Sequence, residues 1–269
     1  MPEEWLKAAS RTIRAARVDS SVPNVARVWN YLVGGRDNFE ADRQAARQLI
    51  AAAPVMEQVA PASRAFLRRA VTYLTAEAGI RQFLDIGTGM PTAGNTHEVA
   101  QAVDPSCRIV YVDNDPVVLA HARAGLRSSD EGATSYLDAD ARDTGAIIAG
   151  ARKTLEPGRP VGVIMIDILN FLEDAADVLA RLVAAVPAGS YLAVMQPSRD
   201  KRLTVAARRW NQLAPIPVIL RDRDQVVRWF TGLDLVDPGV VEVHRWRPAP
   251  GDTEYPDGMP LLGAVARKP

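Results

Sequence analysis

The chain has 269 residues, 48% of them hydrophobic, with 32 basic and 32 acidic side chains and a single cysteine, Cys107. That size and apolar content suffice for one large core with an appendage, and the even charge balance points to neither nucleic acid nor an anionic membrane as partner. A lone cysteine excludes an internal disulfide and a multi-cysteine metal site; no metal is expected, and Cys107, at the start of a strand-like run, reads as buried filler.

The segment MPEEWLKAAS lacks a basic region followed by an apolar stretch. The longest nearly unbroken apolar run, VGVIMIDIL at 161–169, is far shorter than the ~20 residues of a membrane span, so a soluble, cytoplasmic protein is expected. Arg11, Arg14 and Arg17 share one helical side, but with Glu3 and Glu4 nearby they read as a solvated face. Val25, Val28, Trp29 and Leu32 form a short apolar helix face that ends at Gly34 and Gly35. Residues 40–53 read as a second helix, and residues 61–78 set Phe66, Leu67, Ala70, Val71 and Leu74 on one side of a third. Residues 1–80 are therefore expected to form a helical extension and residues 81–269 the main domain.

From residue 81 onward, strand-length apolar runs (RQFLDIG, RIVYVDN, TSYLDAD, VGVIMID, SYLAVMQ) alternate with helical patterns. Parallel pairing follows, because a parallel connection crosses over the sheet and usually does so as a helix. Runs that are apolar nearly throughout imply helices on both faces. The fold class is thus α/β, a mostly parallel Rossmann-like sheet, with VVEVHRW and LLGAVAR expected to close it as an antiparallel C-terminal hairpin.

The first strand leads into FLDIGTGMPTAGNTHEVA, where Gly87 and Gly89 occupy the turn at which open sheets bring ligands close to the backbone. Asn95 and Glu98 have the spacing of a helix cap with its reciprocal partner, so the next helix is expected to begin near Thr96. Three carboxylates end predicted strands: Asp85, Asp113 and Asp140. Asp113 suits the two ribose hydroxyls of a nucleoside, Asp140 an exocyclic amine of its base, and Asp85 a positively charged amino group. Where a dinucleotide site would have its third glycine, this chain has Met90, Pro91 and Thr92. Pro91 removes an amide donor, and Asp85 adds negative charge beside any phosphate, which disfavours a pyrophosphate. An adenosyl ligand with a zwitterionic amino-acid end, S-adenosylmethionine, fits better.

The segments SVPNVARVWNYLVGGRDNFEADR (21–43), FLDIGTGMPTAGNTHEVAQAV (83–103) and VYVDNDPVVLAHARA (110–124), with the terminal RWRP and ARKP, closely resemble a bacterial S-adenosylmethionine-dependent methyltransferase family long called a domain of unknown function. The resemblance implies a class I methyltransferase sheet with a helical N-terminal region over the cofactor site. It implies Asp85, Gly87, Thr88 and Gly89 around the methionine part of the cofactor, Asp113 and Asn114 at the ribose, and Asp140 with Ala141 at the adenine. After the fourth strand, where relatives often carry a histidine before the phenylalanine, this chain has Asn170 and Phe171, and Asp167 replaces a small apolar residue.

The expected activity is methyl transfer to a small-molecule acceptor, leaving S-adenosylhomocysteine; a non-catalytic binder of either compound, and less favourably a nucleotide-dependent oxidoreductase, are the alternatives. Displacement at a sulfonium needs alignment above all, and a base only for a protonated nucleophile. Asp167 and His97 are the candidate bases. In YLVGGRDNFEADR, Tyr31, Gly34, Gly35, Arg36, Asn38 and Phe39 read as a lid whose two aromatic rings wall the pocket; the alternative is a tight interhelix turn in which Asp37 or Asn38 caps the next helix. His121 and His244 are expected outside the mouth.

Overall fold

The computed structural model describes residues 18–125 and 127–269; Arg11, Arg14 and Arg17 lie outside the described residues. Three helices come first, α1 (Val25–Leu32), α2 (Glu40–Ala52) and α3 (Met56–Ala76). Then follow β1 (Gln82–Ile86), α4 (Thr96–Val103), β2 (Arg108–Asp113), α5 (Pro116–Gly125), β3 (Ala133–Asp138), α6 (Thr144–Ala151) and β4 (Gly162–Ile166). After a 3-10 turn at Leu169–Phe171 come α7 (Ala175–Ala185), β5 (Tyr191–Pro197), α8 (Lys201–Leu213), α9 (Arg223–Arg228), β6 (Asp234–Leu235), β7 (Val241–Glu242) and β8 (Leu261–Arg267).

The strands form one sheet in the order β3-β2-β1-β4-β5-β8-β6, with β7 also on β8; β1 to β5 run parallel, and β8 lies antiparallel to β5. The chain winds outward from β1 to β3 and then returns to β4 beside β1. That reversal opens a crevice at the carboxyl ends of β1 and β4, where open sheets take ligands.

Side-chain alternation along the strands divides the core in two. Phe83, Ile109, Tyr111 and Ile164 face a layer built from α1 to α4 and α8, while Leu84, Ile86, Val110, Val163 and Met165 face α6, α7 and α9. Cys107 is fully buried in the first layer, and desolvation pushes its thiol up to about 11. The apolar stripe of α3, including Phe66, Ala70 and Leu74, is buried against the same sheet face as Phe83, so this helix belongs to the core of the main domain.

The expected C-terminal hairpin is shorter than its sequence suggests. Of VVEVHRW only Val241 and Glu242 pair with β8, which bonds to β5 along seven residues. Past Glu242 the chain coils into a 3-10 turn because its carbonyls have another partner: the buried Arg69 of α3 donates to the oxygens of Val243 (2.6 Å) and Trp246 (2.9 Å) and pairs with Asp252 (2.8 Å). Trp246 packs edge-on against Phe66 at 5.5 Å.

Candidate active site

The turn after β1 is held against β2 by Gly87 N–H, which donates to the oxygen of Val112 (2.8 Å). Gly87 has φ 75°, and a Cβ there would stand 2.6 Å from the Ile168 side chain, so the β1 and β4 loops can pass each other only at a glycine. Gly89 has φ 65°, but a Cβ there would meet nothing within 4 Å; this backbone borders open space. Asp113 accepts from Gly89 N–H and Asp115 N–H, both at 2.9 Å, tying the glycine turn to the end of β2. As expected, the following helix begins at Thr96, with Glu98 accepting from Asn95 N–H at 3.1 Å.

Asp85, Gly87, Thr88, Gly89, Asp113, Asn114, Asp140 and Ala141 line one cavity together with Asp167, Asn170 and Phe171. Of the two candidate bases, only Asp167 reaches this cavity; His97 is not among the lining residues. His97 is buried, its backbone N–H donates to the Tyr111 hydroxyl (2.8 Å) and its Nδ1 lies 2.7 Å from the same oxygen. Burial lowers its pKa, which suits a neutral packing residue.

Asp167 stands out by geometry. It follows β4, and strand alternation would send it to the α6 side, opposite Ile166. Its left-handed backbone (φ 63°), costly for a residue with a Cβ, brings its carboxylate instead to α3, where Oδ2 accepts from the Ser63 hydroxyl. Oδ1 is buried with no donor among the described residues, and so is Oδ1 of Asn170. Desolvation pushes Asp167 up to about 7, opposed by Ser63 and the positive charge of Arg64. Asp85 is pushed up to about 6 by burial, against the Thr96 hydroxyl at 2.6 Å and Arg64. Arg64 is itself fixed by the carbonyl oxygens of Ala93 (3.2 Å) and Gly94 (2.8 Å) beyond the glycine turn.

The lid motif folds differently from its expected form. Tyr31, Gly34, Gly35, Arg36, Asn38 and Phe39 do not line the cavity; α1 covers it with Val28, Trp29, Asn30 and Leu32, followed by Val33 at its end. Arg36 is exposed and the Phe39 ring lies under the Arg27 guanidinium at 5.0 Å. What the motif encodes is a latched hairpin. Asn30 Oδ1 accepts from Asp37 N–H (3.0 Å) and the Asn38 amide (2.8 Å), and any Cβ at Gly35 would run into the Asn30 side chain. The buried Asp42 accepts from Asn24 N–H and Phe39 N–H and pairs with Arg27 at 2.9 Å, joining the starts of α1 and α2. His121 of α5 lies 3.9 Å from Asp37 beside this turn, outside the cavity.

Sequence reasoning missed Ser63 and Arg64. Their signal was a hydroxyl inside the apolar stripe of α3, at helical spacing from Val59, Phe66 and Leu67. It also missed the far wall, where Leu203, Ala206 and Trp210 of α8 and Val218 and Leu220 after it enclose the cavity.

Comparison with known proteins bears on the family and the fold. The S-adenosyl methyltransferase family model matches residues 11–269. A search of curated proteins found no match. Among solved structures, the chain is similar to a DUF574 family protein from Streptomyces avermitilis, with 40% identity, TM-score 0.90, and coverage of 94% of this chain and 100% of that one. It is also similar to a Thermobifida fusca protein provisionally called a methyltransferase, with 36% identity, TM-score 0.85, and coverage of 93% and 96%. Human N-acetylserotonin methyltransferase, solved with S-adenosylmethionine, shares the fold at 14% identity and TM-score 0.50, over 98% of this chain and 66% of that one. A family match over nearly the whole length, with a cavity at the sheet's reversal point, places the chain in the S-adenosyl methyltransferase family.

Proposed function

We propose that the chain catalyses methyl transfer from S-adenosylmethionine to a small-molecule acceptor, with Asp167 as the base. The observation that carries this reading is the strained Asp167, whose carboxylate sits on the α3 side of the cavity shared with Asp85, Asp113 and Asp140.

The donor set fits S-adenosylmethionine. Open space at Gly89 leaves room for a ligand, Asp113 has lone pairs left for ribose hydroxyls, and Asp140, which lines the same cavity, can accept from an adenine amine. Asp85 and Arg64 offer an anion and a cation to the ammonium and carboxylate of the amino-acid end. When bound, S-adenosylmethionine supplies a methyl group on a positively charged sulfur. Asp167, with a pKa near working pH, can take a proton from the acceptor atom, and α1 covers part of the cavity, as a reaction that must limit access of water requires.

Calorimetry tests the cofactor half. S-adenosylhomocysteine is expected to bind and NAD not to, and Asp113→Ala should weaken S-adenosylhomocysteine by about one to two orders of magnitude, the worth of hydrogen bonds to a charged group. Unchanged affinity in that variant would remove Asp113 from the ribose.

The α1–α2 hairpin serves as the lid, moving as a unit because Asn30 and Asp42 fix it internally. Hydrogen exchange in residues 24–43 is therefore expected to slow on adding S-adenosylhomocysteine. Exchange rates identical with and without the ligand would leave the hairpin with a packing role only.

A further inference from the structure

Beyond Asp167 the cavity changes character. Every charged residue that lines it, including Arg64, Asp85, Asp113, Asp140 and Asp167, belongs to the strand-end loops or to the point where α3 meets them. The far chamber, enclosed by α1, α2, α8 and the segment after α8, is lined by no charged side chain among the described residues. This holds even though α8 carries Lys201, Arg202, Arg208 and Arg209: the helix turns Leu203, Ala206, Ala207 and Trp210 inward and keeps its basic residues outside. Three aromatic rings, Trp29, Phe171 and Trp210, wall the chamber, with Phe171 and Trp210 edge to face at 6.4 Å. At the junction the Ser63 hydroxyl donates to Asp167, and the buried Oδ1 atoms of Asp167 and Asn170 lack donors among the described residues, whereas Oδ1 of Asn30 on α1 is already engaged with Asp37 and Asn38.

We propose that the acceptor is an uncharged, hydrophobic aromatic compound that presents one phenolic hydroxyl to Asp167. This rests on the methyltransferase reading above and names its acceptor. A buried ionic group on the far side of the acceptor would lose its water with no partner, a cost that apolar walls do not offset. An ammonium near Asp167 would also face the like charge of the sulfonium. A neutral ring gains from burial against aromatic walls, and its hydroxyl supplies the donor that the junction lacks. A phenol, with an ordinary pKa near 10, is acidic enough for a carboxylate shifted to about 7 to take its proton as transfer proceeds. The hydroxyl gives its proton to Asp167 while its oxygen bonds to the methyl carbon, and the carbon–sulfur bond breaks with its electron pair returning to sulfur. The products are an aryl methyl ether, S-adenosylhomocysteine and a protonated Asp167.

The test uses the full chain saturated with S-adenosylhomocysteine and titrates three bicyclic phenols by calorimetry: 2-naphthol, 6-hydroxy-2-naphthoate and 6-(aminomethyl)-2-naphthol. We expect 2-naphthol to bind at least about tenfold more tightly than either charged analogue. Ala207→Trp, which fills the chamber from α8, should abolish naphthol binding and leave the affinity for S-adenosylhomocysteine within about twofold, which also shows that the variant is folded. Equal or tighter binding of a charged analogue overturns the acceptor assignment. So does the absence of saturable naphthol binding to a chain that does bind S-adenosylhomocysteine. Failure to bind S-adenosylhomocysteine at all overturns the underlying methyltransferase reading instead.

Discussion

Asp167→Asn is expected to raise the melting temperature by roughly 4–8 °C at about pH 8.5 and to change it little near pH 4.5, while slowing methyl transfer by ~10²- to 10⁴-fold. The carboxylate's pKa is raised in the folded chain, from 3.8 to about 7. Between those values the folded chain keeps the proton and the unfolded chain has lost it. The stability this contributes is fully present below the unfolded pKa and is lost as pH rises through about 7. A rise of that size sets an upper bound of about 4 kcal/mol, and we expect roughly half of it once the ionised site relaxes. Asparagine does not ionise, so it escapes that loss and keeps a polar group for Ser63. Melting curves of both proteins across this pH range decide the matter. A difference between them that does not change with pH would mean that Asp167 ionises as easily folded as unfolded.

Arg69→Met should cost about 3–5 kcal/mol, seen as a fall in melting temperature of roughly 10 °C or more. The guanidinium is nearly buried, and it alone joins the oxygens of Val243 and Trp246 to Asp252 across 174 or more residues of chain. Methionine replaces the aliphatic stem but removes the charged donor from all three groups: Val243 and Asp252 keep one backbone N–H each, from Trp246 and Ala249, while the Trp246 carbonyl and part of a half-buried carboxylate lose their partner. Thermal and denaturant melts read the loss. A variant within about 2 °C of the parent would mean that water takes over those bonds at little cost.

The sheet was legible because its parallel strands are buried on both faces and so carry unbroken apolar runs, as in RIVYVD and GVIMI. The glycine turn was legible because positive φ at Gly87 and Gly89 is written into residue type. Asp167 was visible as a strand-end carboxylate, but its meeting with Ser63 was not: those residues are 104 apart in sequence, and a left-handed aspartate has no pattern that announces it. In YLVGGRDNFEADR the aromatic residues drew attention to Tyr31 and Phe39, whereas the hairpin is decided by Asn30 and Asp42, whose hydrogen bonds depend on two helices already lying side by side. The coil at Val243–Arg245 escaped for a similar reason. VVEVHRW alternates like a strand, but the Val243 carbonyl accepts from Trp246 N–H within the 3-10 turn and from Arg69, contributed by a distant helix.

The two halves of the cavity come from different kinds of chain. Strand ends and the loops after them line the carboxylate-rich half, and α1, α2, α8 and the segment after α8 line the far chamber, with α3 running beside both, while α6, α7 and α9 contribute no lining residue. Inheritance can act on these parts separately. On the proposed reading, substitutions at positions such as Val28, Leu49, Leu203, Ala207 or Val218 should reshape what is accepted without touching the strand-end carboxylates assigned to the methyl donor. The α6–α7–α9 layer can meanwhile gain stability to offset what such changes cost. Lineages built on this scaffold are therefore expected to diverge first in their acceptors and last in their donor, and a directed-evolution library confined to the far chamber should change selectivity with the donor's affinity preserved.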